Sequence, residues 1–332
     1  MLKKNNIMGS DKIGLTIGRM EKGCELCFPG LKSVIFITGI CGDSCYYCPV
    51  GKDRFGHDVI YVNEERITNL RDMIIEIERQ GAIGASITGG DPLVVFPRTI
   101  KIIKMLKKHF GNEFHIHLYT SGRYATPDAL VSLYKAGLDE IRFHPVKDEY
   151  KIAISYASKL TKMRVGAEIP IAKGLENWAI DIIKTVEKYG GSFVNLDEME
   201  FVEPNARALI SMGLNEDKNR PFTAKGSLEA ALKVLEWARE NSNIYVHFCP
   251  ASFKDAIQTK NRFTRLSRND KKWYEEITKD GTIKWAEVNI NGNIIKINPN
   301  DIYNYKGYEI KILESHPTRD RKPIINEEII KI

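Results

Sequence analysis

No stretch of this 332-residue sequence approaches the ~20 consecutive apolar residues of a membrane span, so no membrane partner is expected. Residues 1–18 carry lysines but lack the apolar core of a signal peptide, and the expected location is the cytoplasm. There is no low-complexity linker and no fixed-period repeat beyond a strand–helix alternation. Cysteine is scarce: of six, five fall between Cys24 and Cys48, a crowding that suits metal ligation in a reducing compartment better than a disulfide framework. Charge of one sign is not in large excess either; a net +6 permits an acidic partner without requiring one. What is present, 43% hydrophobic and 28% charged residues, suits a globular chain: one large α/β domain with an appendage, or two ordinary domains.

Hydrophobic periodicity gives strands alternating with helices from about residue 33 to 248. The runs Val34–Thr38, Gly84–Thr88, Phe114–Tyr119, Glu140–Phe143, Arg164–Ile169 and Phe193–Leu196 read as strands, with Ile244–Phe248 a possible last one. Between them, Glu64–Gln80, Arg98–Phe110, Pro127–Ala136, Asp148–Leu160, Glu176–Tyr189 and Lys225–Arg239 read as helices with one apolar face. Such alternation implies a parallel sheet with right-handed crossovers, open or closed into a barrel. The polar and Gly-rich segments all follow strands, and in parallel barrels that rim carries the chemistry.

The first of these rim segments holds Cys41, Cys45 and Cys48 in Gly39-Ile40-Cys41-Gly42-Asp43-Ser44-Cys45-Tyr46-Tyr47-Cys48. Three thiolates so spaced can hold three irons of a [4Fe–4S] cube and leave the fourth open. The competing reading, a structural zinc loop, wants a fourth Cys or His close by, and the next cysteine is Cys249.

The C-x3-C-x2-C spacing, with an aromatic residue before the last cysteine, resembles the signature of radical S-adenosylmethionine (radical SAM) enzymes. The resemblance covers about residues 33–248 and is strongest to uncharacterised archaeal-type proteins related to pyruvate formate-lyase activating enzyme. It implies a partial (β/α)6 TIM-like barrel, a [4Fe–4S] cluster on Cys41, Cys45 and Cys48, SAM as cofactor, and an electron donor such as ferredoxin or flavodoxin. Tyr47 would then pack near the adenine. Gly89-Gly90-Asp91-Pro92 stands where the family has Gly-Gly-Glu-Pro, a contact to the methionyl amino group, and departs from it by Asp91. Thr120-Ser121-Gly122 resembles a family segment after the third strand, making Ser121 a polar contact to SAM. Glu168 and Asn195 are ribose or substrate contacts by position. For all these rim residues ordinary turn chemistry is the competing account.

Cys24-x2-Cys27 is a second constellation. With Cys249 and His247 it could close a zinc site; three thiolates could instead hold an auxiliary cluster, or all three cysteines could be ordinary thiols. The stretch from Lys254 to Lys272 holds seven basic and two acidic residues, and Trp273 and Tyr274 follow it. It fits a nucleic acid such as tRNA, a phosphate-bearing or acidic peptide substrate, or simply a solvated amphipathic helix. His115 and His117 share one strand face and suit packing; His144, at the rim, suits a substrate contact.

The expected organisation is a Cys-bearing N-terminal extension at residues 1–32, a core barrel at 33–250 and a small basic C-terminal α/β appendage at 251–332, with a hairpin turn at Asn291-Gly292. The expected function is reductive SAM cleavage followed by hydrogen abstraction from an RNA base or a peptide or protein. The alternative, a non-enzymatic zinc-binding nucleic-acid module, would be colourless and would not cleave SAM.

Overall fold

Seven parallel strands, each apolar on one face and largely polar on the other, organise the chain. The computed structural model describes residues 6–331; residues 1–5 of the N-terminal segment and residue 332 lie outside it. In chain order, β1 (Met8–Ser10), β2 (Gly14–Ile17) and α1 (Lys22–Cys27) precede the first parallel strand, β3 (Lys32–Phe36). An antiparallel hairpin, β4 (Ile60–Val62) and β5 (Glu65–Ile67), leads to α2 (Leu70–Gln80). There follow β6 (Gly84–Thr88), α3 (Phe96–Phe110), β7 (His115–Thr120), α4 (Pro127–Ala136), β8 (Glu140–Phe143) and α5 (Ile152–Leu160). The series ends with β9 (Arg164–Ile171), α6 (Glu176–Lys188), β10 (Phe193–Glu198), α7 (Glu203–Ser211), α8 (Ser227–Asn241) and β11 (Tyr245–Cys249).

These strands form one sheet in the order β1-β2-β11-β10-β9-β8-β7-β6-β3-β4-β5. The run from β11 to β3 is parallel throughout. Each end is finished by an antiparallel neighbour, β2 on β11 and β4 on β3, so the barrel is partial. Six strand–helix units form as expected, and β11 is a seventh parallel strand.

The first expected helix begins late. Glu65–Ile67 pairs with Ile60–Val62 as a strand, and Asn63 turns the hairpin at φ 53°. Asn69 caps α2, its side chain accepting from the Arg71 N–H at 2.9 Å. Buried Ile67 satisfies a strand face here, an ambiguity that a four-residue apolar spacing cannot resolve.

Along β7 to β11, residues alternate cleanly. Ile116, Leu118, Ile141, Phe143, Ala167, Ile169, Val194, Leu196, Val246 and Phe248 pack outward in one core with the helices. The alternate positions Tyr119, Arg142, Glu168, Asn195, Asp197, His247 and Cys249 face an internal cavity. Burying this many polar groups is tolerable only where they pair with one another or with something bound.

Helix α1 runs beneath the cavity against β3, β6 and β7. Its Gly23 lets it in: a Cβ there would lie 2.5 Å from His117 Nδ1 and 2.7 Å from Arg142 Nη2. Beyond β11 the chain runs through α9 (Ala251–Phe253), a π-helical turn at Lys254–Thr259 and α10 (Lys260–Asp270). It then forms a separate five-stranded antiparallel sheet: β12 (Glu276–Ile277), β13 (Ile283–Ile290), β14 (Asn293–Ile297), β15 (Glu309–Ser315) and β16 (Ile324–Lys331). The Asn291-Gly292 turn joins β13 to β14, both residues at positive φ as a type I′ turn requires. Among the described residues no helix is long and apolar enough to cross a membrane.

Candidate active site

The cysteine loop leaves β3 and is fastened to the loop after β6. Ile37 N–H donates to Thr88 O at 2.9 Å, Gly90 N–H to Thr38 O at 2.7 Å, and Asp91 N–H to Ile40 O at 3.0 Å. This docking explains the glycine pair directly. Gly89 stands at φ 145°, and a Cβ on it would lie 2.3 Å from Thr38 O; one on Gly90 would lie 2.2 Å from Ile40 O. Any side chain at either position would push the two loops apart.

Asp91 is buried and spends its carboxylate within the protein. It accepts from Thr120 Oγ1 (3.0 Å), Ser121 N–H and Oγ (both 3.0 Å) and Leu93 N–H (2.9 Å). Burial pushes its pKa up, while those donors pull it down. Asp91 thus ties the Gly-Gly loop to the Thr120-Ser121 loop. It does not line the cavity, whereas Gly89, Gly90 and Ser121 do.

A polar chain crosses the barrel interior from the cysteine loop. Tyr47 OH lies 2.7 Å from His144 Nε2, and His144 Nδ1 lies 2.9 Å from Glu168 O. A carbonyl can only accept, so Nδ1 carries the hydrogen and Nε2 accepts from Tyr47. Burial holds His144 below its ordinary pKa, which fits this neutral tautomer. Glu168 Oε2 accepts from Arg142 Nη1 at 2.5 Å and from Asn195 Nδ2 at 2.7 Å. Arg142 also donates to Glu140 at 2.5 Å. Burial opposes the Arg142 charge, but Cys24, Glu140, Tyr119 and Glu168 keep it protonated. Burial likewise resists the Glu140 charge, yet Arg142 and His115 bring that carboxyl down to about 2.

Across the cavity, Lys254 reaches Glu200 at 2.8 Å and Asp197 at 3.9 Å. Asp197 is pushed up to about 7, by burial first and then against Lys254 by the neighbouring Glu168 and Glu200.

All six cysteines line this cavity of about 470 Å³, a volume in the range of small-molecule sites. So do Tyr47, Gly89, Gly90, Ser121, Glu168, Asn195 and His247; of the expected site residues only Asp91 stands off its wall. Sequence reading overlooked Arg142, Asp197, Glu200 and the inward course of Lys254. A period-two signal was there for the first: Glu140, Arg142 and His144 alternate with apolar Ile141 and Phe143. The basic stretch also turns inward elsewhere. Arg262 pairs with Glu64, and Arg265 donates to Gln80 O (3.2 Å) and Gly81 O (3.0 Å). Trp273, by contrast, is 78% exposed.

The donor set of the cysteine loop fits an iron–sulfur cube. Its three thiols line the same cavity, with the Asp43 N–H beside the Cys41 sulfur and the Tyr47 hydroxyl oxygen beside that of Cys45. Burial pushes the Cys45 thiol up to about 11, so it needs a cation to ionise it. Among the described residues, buried Asp43 Oδ2 finds no hydrogen-bond partner. Among the described residues no three ligating groups converge on a single ion, whereas a cube takes one thiolate per iron.

The family model described as "Radical SAM superfamily" matches residues 35–145. A Methanocaldococcus jannaschii protein named "Putative glycyl-radical enzyme activating enzyme MJ0021" is 39% identical over 277 residues, spanning 80% of this chain and 72% of that protein. The chain belongs to the radical SAM superfamily. It is accordingly an enzyme that uses a [4Fe–4S] cluster and SAM. Among solved structures, SuiB of Streptococcus suis bound to its precursor peptide SuiA shares 12% identity at TM-score 0.48, over 67% of this chain and 50% of that one. Coproporphyrinogen III oxidase (HemN) of Escherichia coli shares 10% identity at TM-score 0.42, over 91% of this chain and 71% of that one. The chain thus spans half the length of SuiB.

Proposed function

We propose that this radical SAM enzyme reductively cleaves SAM at a cluster held by Cys41, Cys45 and Cys48 and abstracts hydrogen from a peptide or protein. The observation that carries the reading is the fastening of the cysteine loop to Gly89-Gly90, so that thiols and backbone face one cavity. Held by Cys41, Cys45 and Cys48, a reduced cluster would supply the single electron for SAM cleavage, and the cleaved cofactor would supply the hydrogen-abstracting chemistry. The electron comes from a small carrier such as ferredoxin or flavodoxin.

The protein's part is to bind and orient. Gly89 and Gly90 offer backbone to the methionyl group, and Ser121 adds a polar contact. Tyr47, steered by its bond to His144, presents a ring to the adenine. Glu168 and Asn195, already bonded to each other, face the ribose or the substrate. Asp91 is a positioning residue, holding two of these loops in register.

A polypeptide substrate is favoured over RNA on two grounds. The relative from M. jannaschii carries the name of an enzyme that activates other enzymes. The basic stretch spends Lys254, Arg262 and Arg265 on internal partners. Protein prepared without air, given dithionite and SAM, should yield 5′-deoxyadenosine, and the Cys41/Cys45/Cys48→Ala variant should yield none. Adding the protein fraction of a deuterium-labelled lysate should place deuterium in that product, while the RNA fraction should not. Iron-loaded, folded protein that makes no 5′-deoxyadenosine would refute the reading.

A further inference from the structure

The three cysteines outside the cysteine loop come from opposite ends of the barrel sequence yet line one cavity. Cys24 and Cys27 lie three apart on α1, and Cys249 closes β11. All three line the cavity that the Cys41, Cys45 and Cys48 thiols also line, and all are free thiols within one another's electrostatic reach. The fold pins the two segments together on both sides of the sulfurs. Before them, β2 pairs with β11, Leu15 opposite Phe248. After them, the Phe28 and Phe253 rings sit 5.3 Å apart, and Asn261 Nδ2 donates to Phe28 O at 2.8 Å.

The surroundings are those of ligating sulfurs. Cys24 Sγ accepts from Arg142 Nη2 and from Asn195 Nδ2, each at 3.4 Å. Donors of this kind orient and tune metal-bound thiolates.

We infer that Cys24, Cys27 and Cys249 hold a second [4Fe–4S] cluster whose fourth iron opens into the shared cavity. Zinc is the poorer occupant for two reasons. A structural zinc site wants four ligands on one point, and among the described residues no three ligating groups converge so. The radical SAM cysteines do not converge either, and they serve a cube. The fourth candidate, His247, is held toward β2: its Nδ1 lies 2.8 Å from Thr16 Oγ1, its ring packs against Gly14, and the Leu15 backbone also accepts from it. Three thiolates for four irons leave one iron free to take an oxygen or nitrogen atom of the substrate. Asp197 and Lys254 line the same cavity and would flank that ligand.

The test is a metal and sulfide count on anaerobically reconstituted full-length protein, with Mössbauer spectra, read without SAM. Wild type should hold about eight irons and eight sulfides per chain, and the Cys41/Cys45/Cys48→Ala variant about four of each. The Cys24/Cys27/Cys249→Ala variant should also keep about four, and that retained cluster shows that it folds. Should it fold poorly, Cys27→Ser alone should lower the iron count with an unchanged circular dichroism spectrum. A wild type holding four irons, all lost with Cys41, Cys45 and Cys48, overturns the inference; so does stoichiometric zinc, or iron without matching sulfide. Because no SAM is present, failure here leaves hydrogen abstraction standing, and failure to make 5′-deoxyadenosine leaves the second cluster standing.

Discussion

Asp91→Ala should unfold the protein more readily before it affects any contact with SAM. Four donors lose their acceptor at once: the Leu93 and Ser121 N–H groups and the Thr120 and Ser121 hydroxyls. The hydroxyls can rotate toward other acceptors, but the two N–H groups are fixed by backbone. An orphaned buried donor costs about 1–3 kcal/mol, so the pair alone predicts roughly 2–6 kcal/mol. At about 2 °C per kcal/mol for a large domain, Tm should fall by roughly 4–12 °C. Asp91→Asn should fall in between, since its amide nitrogen presents hydrogens where the carboxylate accepted. The assay is urea and thermal unfolding of cluster-free protein, followed by SAM binding to the loaded variant at a temperature where it is folded. A variant with unchanged stability but weakened SAM binding would refute this account and make the Asp91 carboxylate a direct cofactor contact.

Four further outcomes are expected. Arg142→Met leaves Glu140 and Glu168 buried without their shared cation and should cost about 3–5 kcal/mol; adding Glu140→Gln should recover part of the loss in a double-mutant cycle, and no recovery would count against the pairing. Glu76 sits beside Arg79, yet burial pushes its pKa from 4.5 to about 7. A raised carboxyl pKa contributes stability that is fully present below about 4.5 and lost as pH climbs through about 7. Wild type should therefore lose up to about 3 kcal/mol relative to Glu76→Gln between pH 4.5 and 8, and parallel urea midpoints would contradict this. Finally, Arg265→Ala should lower Tm by undocking α10 from α2. Reversing the exposed Lys260, Arg268 and Lys271 to Glu should leave tRNA mobility in a gel unchanged, and a retardation that this variant abolished would return RNA to contention as substrate.

The family, the parallel sheet and the rim were legible in the residues because each is a local signal. Cys41, Cys45 and Cys48 lie within eight residues, and apolar runs of strand length alternate with 3.6-residue periodicity. Gly89-Gly90 was legible for the same reason, although only its contacts with Thr38 O and Ile40 O show why glycine is needed. Tertiary structure decided everything that depends on residues far apart in sequence. It turned the Asp91 carboxylate toward Thr120 and Ser121, spent the basic stretch on Glu200, Glu64 and the end of α2, and made Glu65–Ile67 a strand. It also carried Cys249 back to Cys24 and Cys27, through the pairing of β2 with β11. A hydrophobic period says that a residue faces inward, but not which other inward residue it meets; that is fixed only when the strands close around the cavity.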